Sequence, residues 1–143
     1  MKIIIDTNIL FSALLSKNNV FIDFIFSKKH KIYTCNYLFI EIFKHKEKLL
    51  KLSKLSEDEL LIQLKNILSK IYFINEDVIP IEIFKGAYEL CKIIDEKDTA
   101  FIALTMFLDA VLITGDKKLI AGLKEKGFTS IESINNFCEN KNL

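Results

Sequence analysis

Residues Met1–Ser16 read MKIIIDTNILFSALLS. Three isoleucines, Ile3 to Ile5, run into Asp6-Thr7-Asn8, and a second apolar run follows at once. A short β-branched run that ends in turn-forming residues reads as a strand buried on both faces, the kind found at the centre of a parallel sheet. Asp6 then stands at the carboxyl end of that strand. Two roles are open to it. It can cap the following helix, as can Thr7. It can also serve chemistry, because open α/β sheets bind ligands outside the carboxyl ends of their strands.

The rest of the chain extends the pattern. KIYTC at Lys31–Cys35, IYFI at 71–74 and AVLIT at 110–114 read as strands, with a weaker one over Phe128–Ile131. Apolar spacing predicts helices over 8–16, 19–28, Asn36 to about Leu52, 57–70, 82–93 after Pro80, 98–108 and 117–126, then a terminal helix. Ser56-Glu57-Asp58-Glu59 has the form of a capping box. Strands alternating with helices indicate an α/β sandwich with a mostly parallel sheet.

Composition narrows the class. The 143 residues suit one domain spanning 1–143, and half of them are apolar, which argues against disorder. One proline and four glycines leave little room for linkers or long loops. The net charge of +1 does not indicate a strongly basic nucleic-acid binder. All 20 basic residues are lysine, so any phosphate contact uses ammonium point charges rather than the guanidinium fork. Cys35, Cys91 and Cys138 are far apart and form no CxxC, so they read as core thiols in a reducing cytoplasm. The longest apolar stretch, Ala100 to Ile113, is broken by Asp109 and falls short of the ~20 residues that span a bilayer. A cytoplasmic protein with no membrane partner is expected.

The sheet rule sorts the acids by position. Asp6 and Asp116 each follow a strand and fall on the ligand-binding edge. Asp109 precedes a strand, on the opposite edge, where Asp suits a left-handed helix end. Glu41 lies one turn into the helix after the second strand. Asp98 opens a helix, with Asp95 three residues earlier, and both acids can face the cleft that Asp6 and Asp116 face. Each of Asp6, Asp98 and Asp116 also suits an N-cap. Glu41 does not, because it lies inside a helix amid Leu38, Phe39, Ile40, Ile42 and Phe43; either it has a partner or its face is wet.

Taken together the acids suggest cation chemistry. At an effective dielectric of ~20, two carboxylates ~5 Å apart repel by roughly 3 kcal/mol. Such a cluster takes up protons or binds cations. Oxygen ligands without a His or Cys pair favour Mg²⁺ or Mn²⁺. Paired divalent ions about 4 Å apart serve phosphoryl chemistry. No GxxxxGK[ST], GxGxxG or GxSxG occurs. His30 precedes the second strand at the far edge and reads as solvated. His45, one turn after Glu41, reads as solvated or as part of the cleft rim.

IIIDTNILFSALL, FIEIFKHKEKLL and DEKDTAFIALTMFLDAVLITGDKKL together resemble the PIN domain family, over almost the whole chain and with the acids in the family's order. The form of these segments is most similar to a prokaryotic single-domain branch of predicted nucleases. The resemblance implies a three-layer α/β/α sandwich with a parallel five-stranded sheet in order 3-2-1-4-5. It implies hydrolysis of RNA phosphodiesters with Mg²⁺ or Mn²⁺, catalysed through the metal ligands Asp6, Glu41, Asp98 and Asp116, with Asp95 as an outer ligand. Asn8 and Thr114 match small polar positions beside the acids, with Lys117 and Lys118 available to hold a phosphate. RNA, a small antitoxin protein and a second copy of the chain are the implied partners.

Other readings stay open. A PIN-like fold can bind RNA or protein without turnover. A phosphatase of the haloacid dehalogenase type also starts with a strand and Asp, but needs a second Asp where Asn8 stands. Leu49, Leu52, Leu60, Leu64 and Leu68 serve either packing within the domain or a partner contact. Lys44, Lys46 and Lys48 run along the Glu41 segment toward a groove.

Overall fold

A computed structural model describes residues 1–15 and 20–141; the stretches of the predicted helices that fall on 16–19 lie outside the described residues. β1 (Lys2–Ile5) leads into α1 (Thr7–Leu15), and α2 (Val20–Phe26) precedes β2 (Lys31–Cys35). Next come α3 (Tyr37–Lys44), α4 (Lys46–Ser53), α5 (Glu57–Leu68) and β3 (Ile71–Ile74). The chain continues through α6 (Ile81–Asp95), α7 (Thr99–Leu108), β4 (Val111–Thr114), α8 (Lys117–Glu125), β5 (Ile131–Ser133) and α9 (Ile134–Lys141).

All strand pairs are parallel, and the order is β3-β2-β1-β4-β5. β1 is central, with Ile3, Ile4 and Ile5 each fully buried. Alternation sends Ile3 and Ile5 to one face, where they meet α1, α2, α5 and α9 through Leu10, Phe24, Ile67 and Phe137. Ile4 goes to the other face and meets α6, α7 and α8 through Cys91, Ile102 and Leu119. Helices on both faces leave only the two ends of the sheet open to solvent, so the acids at the strand ends gather at one of them.

Local chemistry explains most element ends. The capping box forms: Ser56 Oγ accepts from the Glu59 N–H at 3.2 Å, and Glu59 accepts from the Ser56 N–H at 3.3 Å. Asp109 ends α7 in the left-handed region at φ 51°. Gly127 follows α8 at φ 89°, and the N–H groups of Gly127 and Phe128 donate to the carbonyls of Lys124 and Leu123. That closure uses Phe128 as the hydrophobic lock of the helix end. The fifth strand therefore starts at Ile131 rather than Phe128.

Two other expectations are corrected. The helix expected from Asn36 to Leu52 is two helices, broken at His45 (φ −106°, ψ 14°) with no glycine or proline to mark the break. Leu38 and Leu49, one from each piece, pack into the same core. His30 is not a solvated side chain. Its ring lies between Phe24 and Phe137, with centroids at 6.4 and 5.2 Å. Leu49 and Leu60 are buried, and Leu64 and Leu68 pack against the same core, so intradomain packing accounts for them; Leu52 stays exposed. Cys35 and Cys91 are buried thiols, Cys138 is half-buried, and no disulfide joins them. No single helix among the described residues is long and apolar enough to cross a membrane.

Candidate active site

Asp6 ends β1 with 4% exposure. One oxygen accepts from the Ile9 N–H at 3.1 Å, so the capping role is real. The other accepts from the Thr114 hydroxyl at 2.5 Å. Thr114 is itself wholly buried at the end of β4, and its oxygen accepts from the Asp116 N–H at 3.1 Å. Asp116 caps α8 by accepting from the Leu119 N–H, also at 3.1 Å. Thr114 thus joins the ends of β1 and β4, locking Asp6 in place. Its hydroxyl lies behind the carboxylates and orients them. Thr34 completes the frame from β2 by donating to the Ile5 carbonyl at 3.0 Å.

Asp98 differs from the other two strand-edge acids: its side chain makes no cap bond to α7. Burial, then repulsion from Asp6, Asp95, Asp116 and Glu41, pushes its carboxyl up to about 7. Burial also raises Asp6, opposed by the bond from Thr114. Glu41 sits on α3 with its side chain 15% exposed, and its carboxylate lies 3.3 Å from His45 Nε2. Its apolar neighbours Phe39, Ile40 and Phe43 point outward, so Glu41 faces the protein while they face solvent. Burial and a bond to Glu41 raise the Tyr37 phenol.

Asp6, Glu41, Asp95 and Asp98 line one recess of about 170 Å³ at the carboxyl end of the sheet. Asp95 also holds the turn before α7 by accepting from the Lys97 N–H at 3.0 Å. Asp116 does not line the recess; it stands behind Asp6, linked through Thr114. Lys117 is exposed at the start of α8 and lines a neighbouring cavity, while exposed Lys118 lines neither that cavity nor the recess. Asn8 lines both. Of the α3–α4 lysines, Lys48 lines a groove beside α1 and Lys46 pairs with Glu57 at 3.3 Å.

The donors around the recess are all oxygen save for His45 and Lys97, and no cysteine lines it. Thr7 contributes a buried hydroxyl with no hydrogen-bond partner. By chemistry the set suits a hard divalent cation. As they lie, however, no three Asp, Glu, His or Cys side chains among the described residues are arranged to hold one ion. The carboxylates share a recess without forming a finished cage.

Thr7 and Lys97, which line the recess, and Glu76, which supports the start of α3, carry no site signal in the sequence. The first two line the recess only because of where α1 and the turn before α7 begin. Glu76, in the turn after β3, accepts from the Tyr37 N–H at 2.6 Å and so caps α3, whose own Asn36 does not. Burial, then the charge of Glu76, pushes the Cys35 thiol up to about 12. A cap supplied from 39 residues away has no local pattern.

A family model described as the PIN domain matches residues 4–135. The chain belongs to the PIN domain family. The uncharacterised protein MJ1680 of Methanocaldococcus jannaschii is 31% identical over 138 residues, covering 94% of this chain and 83% of that protein. Among solved structures, the Rickettsia felis VapBC2 complex bound to a promoter DNA fragment contains a chain with TM-score 0.68 at 15% identity, covering 93% of this PIN domain and 98% of that chain. The VapBC-1 complex of nontypeable Haemophilus influenzae gives 0.68 at 12% identity, over 94% and 99%. At such identities these structures speak for the fold, a parallel sheet in the same order. PIN domains are in general nucleases, which makes phosphodiester hydrolysis the chemistry to seek in the recess.

Proposed function

We propose that this PIN domain is an Mg²⁺- or Mn²⁺-dependent endoribonuclease. Asp6, Glu41, Asp98 and Asp116 are its catalytic, metal-holding carboxylates, with Asp95 as an outer ligand. One observation carries the reading: acids from β1, α3, the end of α6 and the turn before α7 line a single small recess at the ligand-binding edge of the sheet. Packing alone does not call for such a convergence, because each charge raises the free energy of the others.

The residues divide the work. Asp6 and Asp116 are immobilised through Thr114 and by their caps, so they form the rigid side of the site. Asp98, free of a cap, and Glu41, held by His45 and Tyr37 from the surface of α3, form the adjustable side. A divalent cation, when bound, makes water more acidic and offsets the charge that grows on a leaving oxygen. Water adds to phosphorus in line with the 3′ oxygen, the P–O3′ bond breaks, and the 3′ oxygen takes up a proton. One fragment keeps a 5′-phosphate and the other a 3′-hydroxyl. Lys97 and Lys117, in the two spaces that share Asn8, supply ammonium groups for the backbone of the RNA strand.

A partner is part of the proposal. A groove of about 530 Å³ beside the recess is lined by Phe11, Phe21, Leu49 and Leu52, and Phe43 is 82% exposed on α3 nearby in sequence. Such apolar surface suits a protein contact. A small antitoxin, as in the VapBC complexes of similar fold, and a second copy of the chain are the proposed occupants of such surfaces.

Purified protein is expected to cut single-stranded RNA with Mn²⁺ or Mg²⁺ and to stop in EDTA. Asp6→Asn is expected to abolish cutting. Cutting at the wild-type rate by Asp6→Asn, or in EDTA, overturns the assignment. RNA binding without any cutting selects the non-catalytic alternative.

A further inference from the structure

A second cavity, of about 550 Å³, lies over the carboxyl ends of β4 and β5 and shares Asn8 with the acid recess. Its walls differ in kind from those of the recess. No acid lines it. Phe21, Ile120 and Ile134 are its apolar lining, and Asn8, Asn135 and Asn136 bring three carboxamides. Lys117 adds the one ammonium group among its described lining residues. The volume lies in the range of small-molecule sites, which combine apolar walls with a few placed polar groups.

We infer that this cavity is a nucleotide subsite, holding the nucleoside next to the phosphate that is cut. The inference rests on the nuclease reading for its place in the reaction, and on the cavity itself for its ligand. A base has two apolar faces and an edge of donors and acceptors. Phe21 with Ile120 and Ile134 suits the faces, and carboxamides, which both donate and accept, suit the edge. Asparagine pairs in bidentate fashion with the N6/N7 edge of adenine, so adenosine is the favoured nucleoside. Lys117 suits the attached phosphate as a point charge. Because Asn8 belongs to both spaces, a strand occupying the cavity runs directly into the acid recess.

The neighbouring backbone keeps the space open. Gly115 lines the cavity, and a Cβ placed there meets nothing within 4 Å. Gly115 is not at positive φ, so a side chain at 115 is placed at the cavity's edge without backbone strain. Ser133 Oγ already accepts from the Asn136 N–H at 3.1 Å, which leaves the Asn136 side chain outside the helix cap.

Gly115→Leu and the surface pair Asn135→Ala/Asn136→Ala test the inference in two assays. In EDTA, where nothing is cut, binding of adenosine 5′-monophosphate and of ribose 5-phosphate is followed through the side-chain amide signals of asparagine. The wild type is expected to bind the nucleotide at least tenfold more tightly than the sugar phosphate. Both variants are expected to lose that preference while melting within a few degrees of wild type. With Mn²⁺, both are expected to raise KM for an adenosine-containing RNA oligomer about tenfold, with kcat within about threefold. Equal binding of the two ligands by the wild type overturns the subsite, as does unchanged nucleotide binding in the alanine pair. Nucleotide binding without RNA cutting keeps the subsite and removes the nuclease reading; cutting with unaltered KM in the alanine pair does the reverse.

Discussion

Asp98→Asn is expected to make the metal-free protein more stable while removing its activity. Asp98 makes no cap bond, so the amide forfeits no hydrogen bond to α7. What it loses is charge in a place where charge is unfavourable. The carboxyl holds its proton to about 7 rather than 3.8, because of burial and the four acids around it. That difference sets a ceiling of roughly 4 kcal/mol. Asp98 is only half-buried, and solvent screening brings the expectation to about 1–2 kcal/mol.

The sign follows from linkage. Below pH 3.8 both folded and unfolded chains carry the proton, and Asp98 imposes no penalty. Between 3.8 and about 7 the unfolded chain gives up the proton first, so wild-type stability falls as pH rises. Above 7 the penalty is complete. Urea unfolding in EDTA is therefore expected to show the Asn variant ahead at pH 8, with the gap closing toward pH 4. At pH 8 the gap is also expected to shrink in 1 M NaCl, where charges are screened. An Asn variant less stable than wild type at pH 8, or a gap independent of pH, refutes the claim that burial and repulsion together penalise the charged form of Asp98.

Other outcomes follow from single contacts. Thr114→Val keeps the shape of a wholly buried side chain but removes the bond to Asp6 and strands the Asp116 N–H; a loss of about 2–4 kcal/mol in urea unfolding and of RNA cutting is expected, with Thr114→Ser recovering most of both. At Asp109, held at φ 51°, glycine is expected to be neutral or to stabilise by up to ~1 kcal/mol, and valine to destabilise by about 1–2 kcal/mol, read as melting temperatures. A Cβ at Gly122 comes 2.5 Å from Ile94 Cδ1 and 3.0 Å from its Cγ1, so Gly122→Val is expected to force α6 and α8 apart at roughly 1–3 kcal/mol.

The strands at Lys2–Ile5, Lys31–Cys35 and 71–74 were legible in the sequence because buried parallel strands need continuous apolar runs. Their ends were legible because turn and cap residues act on their own neighbours, as the Ser56 box and the Asp109 helix end do. Strand polarity then put Asp6, Glu41, Asp98 and Asp116 at one edge with no coordinates at all. The break at His45 was invisible, since it answers to packing on both sides rather than to a breaker residue. The start of β5 was misplaced because Phe128 looks like strand but serves the helix end.

The alternation of elements and the set of carboxylates at the ligand-binding edge are written locally in the chain, because periodicity, turns and caps act on near neighbours. How those acids differ is a matter of packing. It joined Asp6 to Asp116 through Thr114, paired Glu41 with His45, left Asp98 uncapped among four other charges, and opened a second, acid-free cavity that shares Asn8 with the recess. Each of these depends on groups far apart in the chain brought within hydrogen-bond or Coulomb range, and no local pattern encodes such a distance.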